Sequence, residues 1–263
     1  MYRDSLRRAD RVSAILERLA AHGSVSASDL AASFGVSAAT LRRDLQMLED
    51  QKLLTRTHGG AVAHDVAYEL PVRYRAGQHR EQKRLIARHA VARLPRGRLT
   101  LSLTGGTTTS EVARLVADRS DLTVITNALN IAAELALRPR LKLIVTGGVT
   151  RTQSYELVGP LAEQTLAGFN VEVAVVGVDG ISAAGGLTTH DEIEAHTNGA
   201  TIRRANRVVV VADGSKIGRV LLARICSLDD IADVGELVTD ASADPKALDA
   251  IRRAGLDVEV VQA

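Results

Sequence analysis

Seven short runs of Val, Ile and Leu, separated by segments of helical length, constrain this chain more than any other feature. They are Leu99–Leu103, Leu122–Thr126, Leu141–Thr146, Val171–Val178, Arg207–Ala212, Glu236–Thr239 and Val258–Val261. Many are nearly continuous apolar stretches with no polar alternation, the pattern of strands that hide both faces in a parallel sheet. Thr109–Ala117, Ala128–Ala136, Thr189–Ala205 and Pro245–Ala254 read as the helices between them, and Asp244 before Pro245 is a cap followed by a first-turn proline. The alternation predicts an α/β domain over residues 99–263. No run approaches the ~18 apolar residues of a membrane helix, and Met1-Tyr2-Arg3-Asp4-Ser5-Leu6 lacks a leader's apolar region. With the single Cys226 unable to form an intramolecular disulfide, a cytoplasmic protein with no membrane partner is expected.

The net charge of +2 conceals a division. The first 98 residues hold 18 basic against 10 acidic side chains, and the remainder 15 against 21. A basic head fits a nucleic-acid partner, but clustered charge also fits solvated helix faces. Motifs have to decide.

Val12, Ile15, Leu16 and Leu19 share one face of a first helix that ends at His22-Gly23. Ser26-Ala27-Ser28-Asp29 matches a helix-start signal, and Leu30, Ala31 and Phe34 form the apolar face of a second. After the Gly35-Val36 turn, Ser37 caps a third helix whose inward stripe is Leu41, Leu45 and Leu48. This is a helix-turn-helix arrangement. Its third helix leaves Thr40, Arg42, Arg43 and Gln46 at exposed positions behind a small first turn, residue types that read bases and grip phosphate in a major groove. Residues 53–62 read as strand, glycine turn and strand, a wing with Arg56 and His58 near its tip. Ser37, Thr40, Arg42, Arg43, Gln46, Arg56 and His58 are the candidate DNA contacts; the competing reading is a head that binds protein. Residues 1–62 form this domain, and residues 63–98, with Pro71 and a basic amphipathic helix from about Arg80 to Leu94, form a connection.

In the second domain, Thr104-Gly105-Gly106-Thr107-Thr108-Thr109 joins a strand to a helix start, a common phosphate cradle that is neither a P-loop nor a dinucleotide turn. Other polar groups recur at strand ends, where open α/β sheets bind ligands. The candidate effector residues are Gly105, Gly106, Thr107, Thr108, Thr109, Asn127, Gly147, Gly148, Arg151, Asp179, Gly180 and Lys216. Asn127 serves equally well as a helix cap, and Asp213-Gly214 as a turn. The seven histidines make no tight ligand cluster, and no cofactor or metal is expected.

Leu30-Ala31, Phe34-Gly35-Val36-Ser37, Thr40-Leu41-Arg42-Arg43-Asp44-Leu45, Leu48-Glu49 and His58-Gly59-Gly60-Ala61 resemble the DeoR-type family of bacterial transcription regulators. Thr123-Val124-Ile125-Thr126-Asn127, Gly147-Gly148, Val158-Gly159, Gly177-Val178-Asp179-Gly180-Ile181, Gly186-Leu187-Thr188 and the Ala212–Gly218 segment extend the resemblance over nearly the whole chain. It implies a winged helix-turn-helix joined to a sugar-phosphate-sensing α/β domain similar to ribose-phosphate isomerases and CoA transferases. Two departures stand out: Thr104 replaces the family's Asp, and Asn198-Gly199 replaces a Lys-Arg pair; they imply an altered effector, weakened sensing, or replacement by Arg151, Arg203 or Arg204. The expected function is an operator-binding repressor of carbohydrate or related metabolic genes. It would be a homodimer or homotetramer, controlled by a phosphorylated sugar-like effector. The alternative is a sugar-phosphate isomerase-like enzyme using Asp179, Glu194 and Lys216.

Overall fold

The computed structural model describes residues 8–63 and 69–262. The Met1–Leu6 start and residues 64–68 of the expected connection lie outside them. The chain divides into two units, Met1–Gln78 and His79–Ala263.

The first unit runs α1 (Arg8–His22), β1 (Ser24–Ser26), α2 (Ala27–Phe34), α3 (Ala38–Asp50), β2 (Thr55–Thr57), β3 (Gly60–Val62) and α4 (Val72–Arg75). The expected stripes make its core: Val12, Ile15, Leu16 and Leu19 meet Leu30, Phe34, Leu41, Leu45 and Leu48. Ser26 and Ser37 cap α2 and α3, accepting from the amides of Asp29 at 3.4 Å and Thr40 at 3.2 Å. The wing hairpin β2–β3 forms as anticipated. What sequence reading missed is β1, three residues too short and polar to register, which pairs antiparallel with β3 and makes the order β1-β3-β2. That pairing explains Gly60, because a Cβ there would lie 1.9 Å from the carbonyl oxygen of Val25.

A buried ion pair ties α1 to α3: Arg11 Nε donates to Asp44 Oδ2 at 2.6 Å, with the two side chains 8% and 3% exposed. Losing one partner would strand a charge in the core at a cost of about 3–5 kcal/mol, whereas an exposed pair contributes about 0–1 kcal/mol. Exposed Arg252–Asp249, at 3.1 Å, is the contrast.

The second unit runs α5 (Arg80–Ala92), β4 (Leu99–Leu103), α6 (Thr107–Val116), β5 (Leu122–Thr126), α7 (Leu129–Leu135), β6 (Lys142–Val145), β7 (Val149–Arg151), β8 (Glu156–Val158) and α8 (Pro160–Ala167). It continues through β9 (Val171–Gly177), β10 (Gly180–Ser182), β11 (Gly186–Thr189), α9 (Glu192–Arg203) and β12 (Ala205–Val211). A 3-10 turn (Gly214–Lys216), β13 (Ala223–Cys226), β14 (Gly235–Asp240), α10 (Pro245–Arg253) and β15 (Asp257–Val261) complete it. The seven anticipated strands all join one sheet, ordered β15-β14-β12-β9-β4-β5-β6, with every pairing parallel.

Double-sided burial accounts for the apolar runs. Val173, Val175, Val209 and Val211 face a core completed by Ile86 and Ala90 of α5, Val112 and Val116 of α6, and Ile131 of α7. Their neighbours Ala174, Val176, Val208 and Val210 face the other core, with Ala195 of α9 and Leu248 and Ile251 of α10. The basic helix expected within the connection is therefore a layer of this unit, α5, because Ile86, Ala87 and Ala90 are needed to cover the sheet. The hairpin β7–β8, helix α8 and the small sheet β10-β11-β13 were not anticipated; each is short and carries little periodic signal.

Hydrogen exchange on the intact chain checks the ion pair. Asp44→Ala should lower the protection of α1 and α3 amides by about 3–5 kcal/mol, and Asp249→Ala should alter no amide by more than about 1 kcal/mol.

Candidate functional site

In the first unit, Arg42, Arg43 and Gln46 lie exposed on α3, with Ser37 at its start, Arg56 on β2 and His58 in the wing turn. Their chemical states differ. The Ser37 hydroxyl caps the helix and lies 3.0 Å from Thr40 Oγ1. Gln46 donates to Asp50 Oδ1 at 2.9 Å and accepts from Arg56, whose own amide donates to Glu49 Oε1 at 2.9 Å. Gln46 and Arg56 thus brace the wing against α3. Arg42 and Arg43 make no such bond among the described residues, so their guanidinium groups are available to an external anion or base edge.

In the second unit, the strand order reverses between β4 and β9: β5 and β6 extend to one side of β4, and β9, β12, β14 and β15 to the other. Such a reversal opens a crevice at the carboxyl ends of the two strands. The Gly105–Thr109 turn leaves β4 there, and Asp179 follows β9.

A connected polar network fills this crevice. The hairpin β7–β8 places Arg151 opposite Glu156 and binds the β5–α7 connection, since the Leu157 amide donates to the Asn127 carbonyl at 2.7 Å. Glu156, 2% exposed, accepts from the Gly105 amide at 2.6 Å and from Asn198 Nδ2 at 3.5 Å. Asn198 Oδ1 in turn accepts from Asn127 Nδ2 at 3.3 Å. On the other side, Arg151 donates to Glu194 Oε2 at 3.0 Å and pairs with Asp191 at 3.2 Å. Thr189 bridges Glu194 and Asp179, and Lys216 Nζ reaches Asp179 Oδ1 at 3.3 Å.

Burial pushes the Glu156 carboxyl well above the ordinary carboxylate range, and nearby Glu194 adds to the shift against the favourable Gly105 amide bond. Burial and Asp179 raise Glu194 as well, opposed by Arg151 and Thr189. Because Arg151 faces Glu194, Glu156 is the member of the pair that keeps the proton. At Asp191, burial works upward, but the Glu194 amide, Arg151 and the Ile193 amide outweigh it and hold the carboxyl low. Burial, with Asp230, pushes the Cys226 thiol up to about 12, so it is no nucleophile at neutral pH.

Of the twelve anticipated effector residues, Gly105, Asn127, Arg151, Asp179 and Lys216 join the network. Gly180 begins β10, where a Cβ would lie 2.7 Å from the Arg219 carbonyl. Thr107 and Thr108 occupy the first turn of α6, and Gly106 precedes it. The Thr109 hydroxyl bonds back to the Gly106 carbonyl at 3.0 Å. Gly147 and Gly148 lead into β7 and make no polar side-chain contact with the network. Asn127 is not the α7 cap: Ala128 holds that position, and Thr126 Oγ1 receives the Ala128 amide at 3.1 Å. Thr104 is fully buried and accepts the Gly177 amide at 3.0 Å, joining β4 to β9. Gly199 allows α9 to lie close to β13, because a Cβ would sit 3.0 Å from the Ile225 carbonyl.

Glu156 was missed. Its signal was the alternation of Glu156-Leu157-Val158, which puts Glu156 on the buried face with Val158. Also missed was Lys83, buried on α5 and 4.0 Å from Asp213 Oδ2.

Comparison with known proteins matches residues 11–66 to the DeoR-like helix-turn-helix domain and residues 78–241 to the DeoR C terminal sensor domain. The chain belongs to the DeoR family. It is 35% identical to a putative aga operon transcriptional repressor of Escherichia coli O157:H7, covering 96% of this chain and 93% of that protein. It is 32% identical to the glycerol-3-phosphate regulon repressor of Escherichia coli K12, covering 90% and 92%. Among solved structures, ribose 5-phosphate isomerase A of Methanocaldococcus jannaschii aligns with a TM-score of 0.40 and 18% identity over 55% of this chain and 56% of that one. This DeoR-family chain is a DNA-binding transcriptional regulator. No helix among its described residues is long and apolar enough to cross a membrane.

The Glu156 proton has a measurable consequence. Its folded-state pKa is raised, so its contribution is fully present below the unfolded value near pH 4.3 and is lost as pH rises through the folded value. Glu156→Gln mimics the neutral form. The variant's advantage in unfolding free energy should therefore grow as pH rises above the unfolded value, at up to about 1.4 kcal/mol per pH unit, until Glu156 ionises in the folded state. A constant difference would place the proton elsewhere.

Proposed function

We propose that this DeoR-family chain represses carbohydrate or related metabolic genes in the cytoplasm. A phosphorylated sugar-like effector binding in the second unit would control its operator affinity. The carrying observation is the contrast at α3: Arg42 and Arg43 are exposed with no partner among the described residues, while Gln46 and Arg56 are consumed in bracing the wing. An exposed pair of guanidinium groups beside a capped helix start suits a major groove. Repression and a phosphorylated effector are supported by the kinship with the aga operon and glycerol-3-phosphate regulon repressors. A homodimer or homotetramer would present α3 to repeated half-sites. Ligand control requires only that the effector bind one conformational state better than another.

The isomerase alternative draws less support. Asp179 is engaged by Lys216 and Thr189, and Glu194 by Arg151 and Thr189, which leaves these groups tied into a binding framework.

Mobility-shift titration of the promoter regions flanking this chain's own gene tests the reading. The wild-type chain should prefer one sequence over random DNA at physiological salt; no preference overturns it. Arg42→Ala or Arg43→Ala should weaken operator binding by about 1–3 kcal/mol if the side chain reads a base. A phosphate contact would instead weaken all sequences alike and reduce the salt slope by about one.

A further inference from the structure

The turn expected to cradle an anion already holds an acid of the protein's own. Glu156 occupies the Gly105 amide at 2.6 Å and presses so closely that a Cβ on residue 105 would lie 2.5 Å from its Cγ. Beyond Gly105, helix α6 starts at Thr107 with no side-chain cap, leaving its first amides directed at the same crevice. At the carboxyl end of β6, the Thr146 hydroxyl is buried without a hydrogen-bond partner, and the Thr146 amide donates to the Thr126 carbonyl at 3.0 Å, next to Asn127. The crevice thus offers open donors around one buried carboxyl.

We propose that Glu156 selects the ligand of this sensor: neutral, it admits a phosphate-type anion to the Gly105–Thr109 turn, and ionised, it excludes one. The inference rests on the phosphorylated-effector reading above and specifies how that site is controlled.

The charges around Glu156 support this division of labour. Arg151 comes from β7, Glu194 and Asp191 from α9, Asp179 from the end of β9, and Lys216 from the 3-10 turn; the Gly105–Thr109 turn and Asn127 bring none. Arg151 is committed to Glu194 and Asp191, and Lys216 to Asp179. Among the described residues no cation is bonded to Glu156, whose donors are the Gly105 amide and Asn198, so an anion arriving beside it needs it uncharged. As a neutral acid, Glu156 accepts from the Gly105 amide through one oxygen and from Asn198 through the other, and adds no negative charge beside Glu194. The Glu194 charge then stays balanced by Arg151. Asn198, the other side chain that donates to Glu156, is uncharged. Anion binding therefore depends on the proton of Glu156 and not on a lysine.

The test uses the intact chain, Glu156→Gln and Glu156→Ala. Inorganic sulfate is the probe, because its charge is constant between about pH 5.5 and 9. Calorimetric titration at fixed ionic strength should show wild-type affinity falling about tenfold per pH unit once Glu156 ionises. Glu156→Gln should bind at about pH 9 as tightly as the wild type at about pH 5.5. Glu156→Ala, also unable to ionise, gives the same reading should the Gln variant not fold. Identical pH profiles for wild type and variants, or no sulfate bound by any of them at any pH, overturn the proposal. Operator mobility shifts with a panel of sugar phosphates separate the two readings. A sugar phosphate that releases wild type and Glu156→Gln equally at every pH removes the role of Glu156 and leaves the phosphorylated effector standing. Sulfate binding that follows Glu156, with no sugar phosphate altering operator binding, does the reverse.

Discussion

The reversal of strand order between β4 and β9 is the constraint on which the second unit depends. A parallel sheet must return each strand through a crossover, so helices cover both faces and loops gather at the carboxyl edge. Where the order reverses, two neighbouring crossovers leave in opposite directions and no helix closes the gap. Into that gap come the Gly105–Thr109 turn, the β5–α7 connection, the hairpin β7–β8 and the start of α9. Elements separated by about half the unit's sequence thereby contribute to one polar network.

Charge in that network is arranged by pairing. Both cations face carboxylates, Arg151 with Glu194 and Asp191, Lys216 with Asp179. Glu156 is left as the acid with the least electrostatic reason to ionise. A buried charge without a counter-ion is costly enough that a proton is the cheaper solution. The first unit uses the same physics differently. There Asp44 is paired with Arg11 in the core, and the arginines next to it in sequence, Arg42 and Arg43, lie exposed.

Much of this organisation was legible in the residues. The seven apolar runs became the seven strands of the sheet, and the three stripes of the head became its core. Both serine caps formed as read. What escaped was local structure without periodic signal: three-residue β1, the hairpin β7–β8 and the small sheet β10-β11-β13. These exist because neighbours pair with them. The basic character of the segment around Arg80–Leu94 suggested a connection, yet its few apolar positions, Ile86, Ala87 and Ala90, decided its place against the sheet.

Sequence alone determined the two-part plan, the strand and helix inventory and the outward placement of Arg42 and Arg43, because periodicity and capping act over a few residues. It also named five of the residues that the crevice assembles. Tertiary structure decided which polar groups remain free and which are spent. Gln46 and Arg56 lost their freedom to each other, Thr104 to a neighbouring strand, and Asn127 to Asn198. The Glu156 carboxyl is pushed above the ordinary range only because a hairpin carries it away from water and next to Glu194. Ionisation depends on neighbours and burial, which distant parts of the chain supply only once folded.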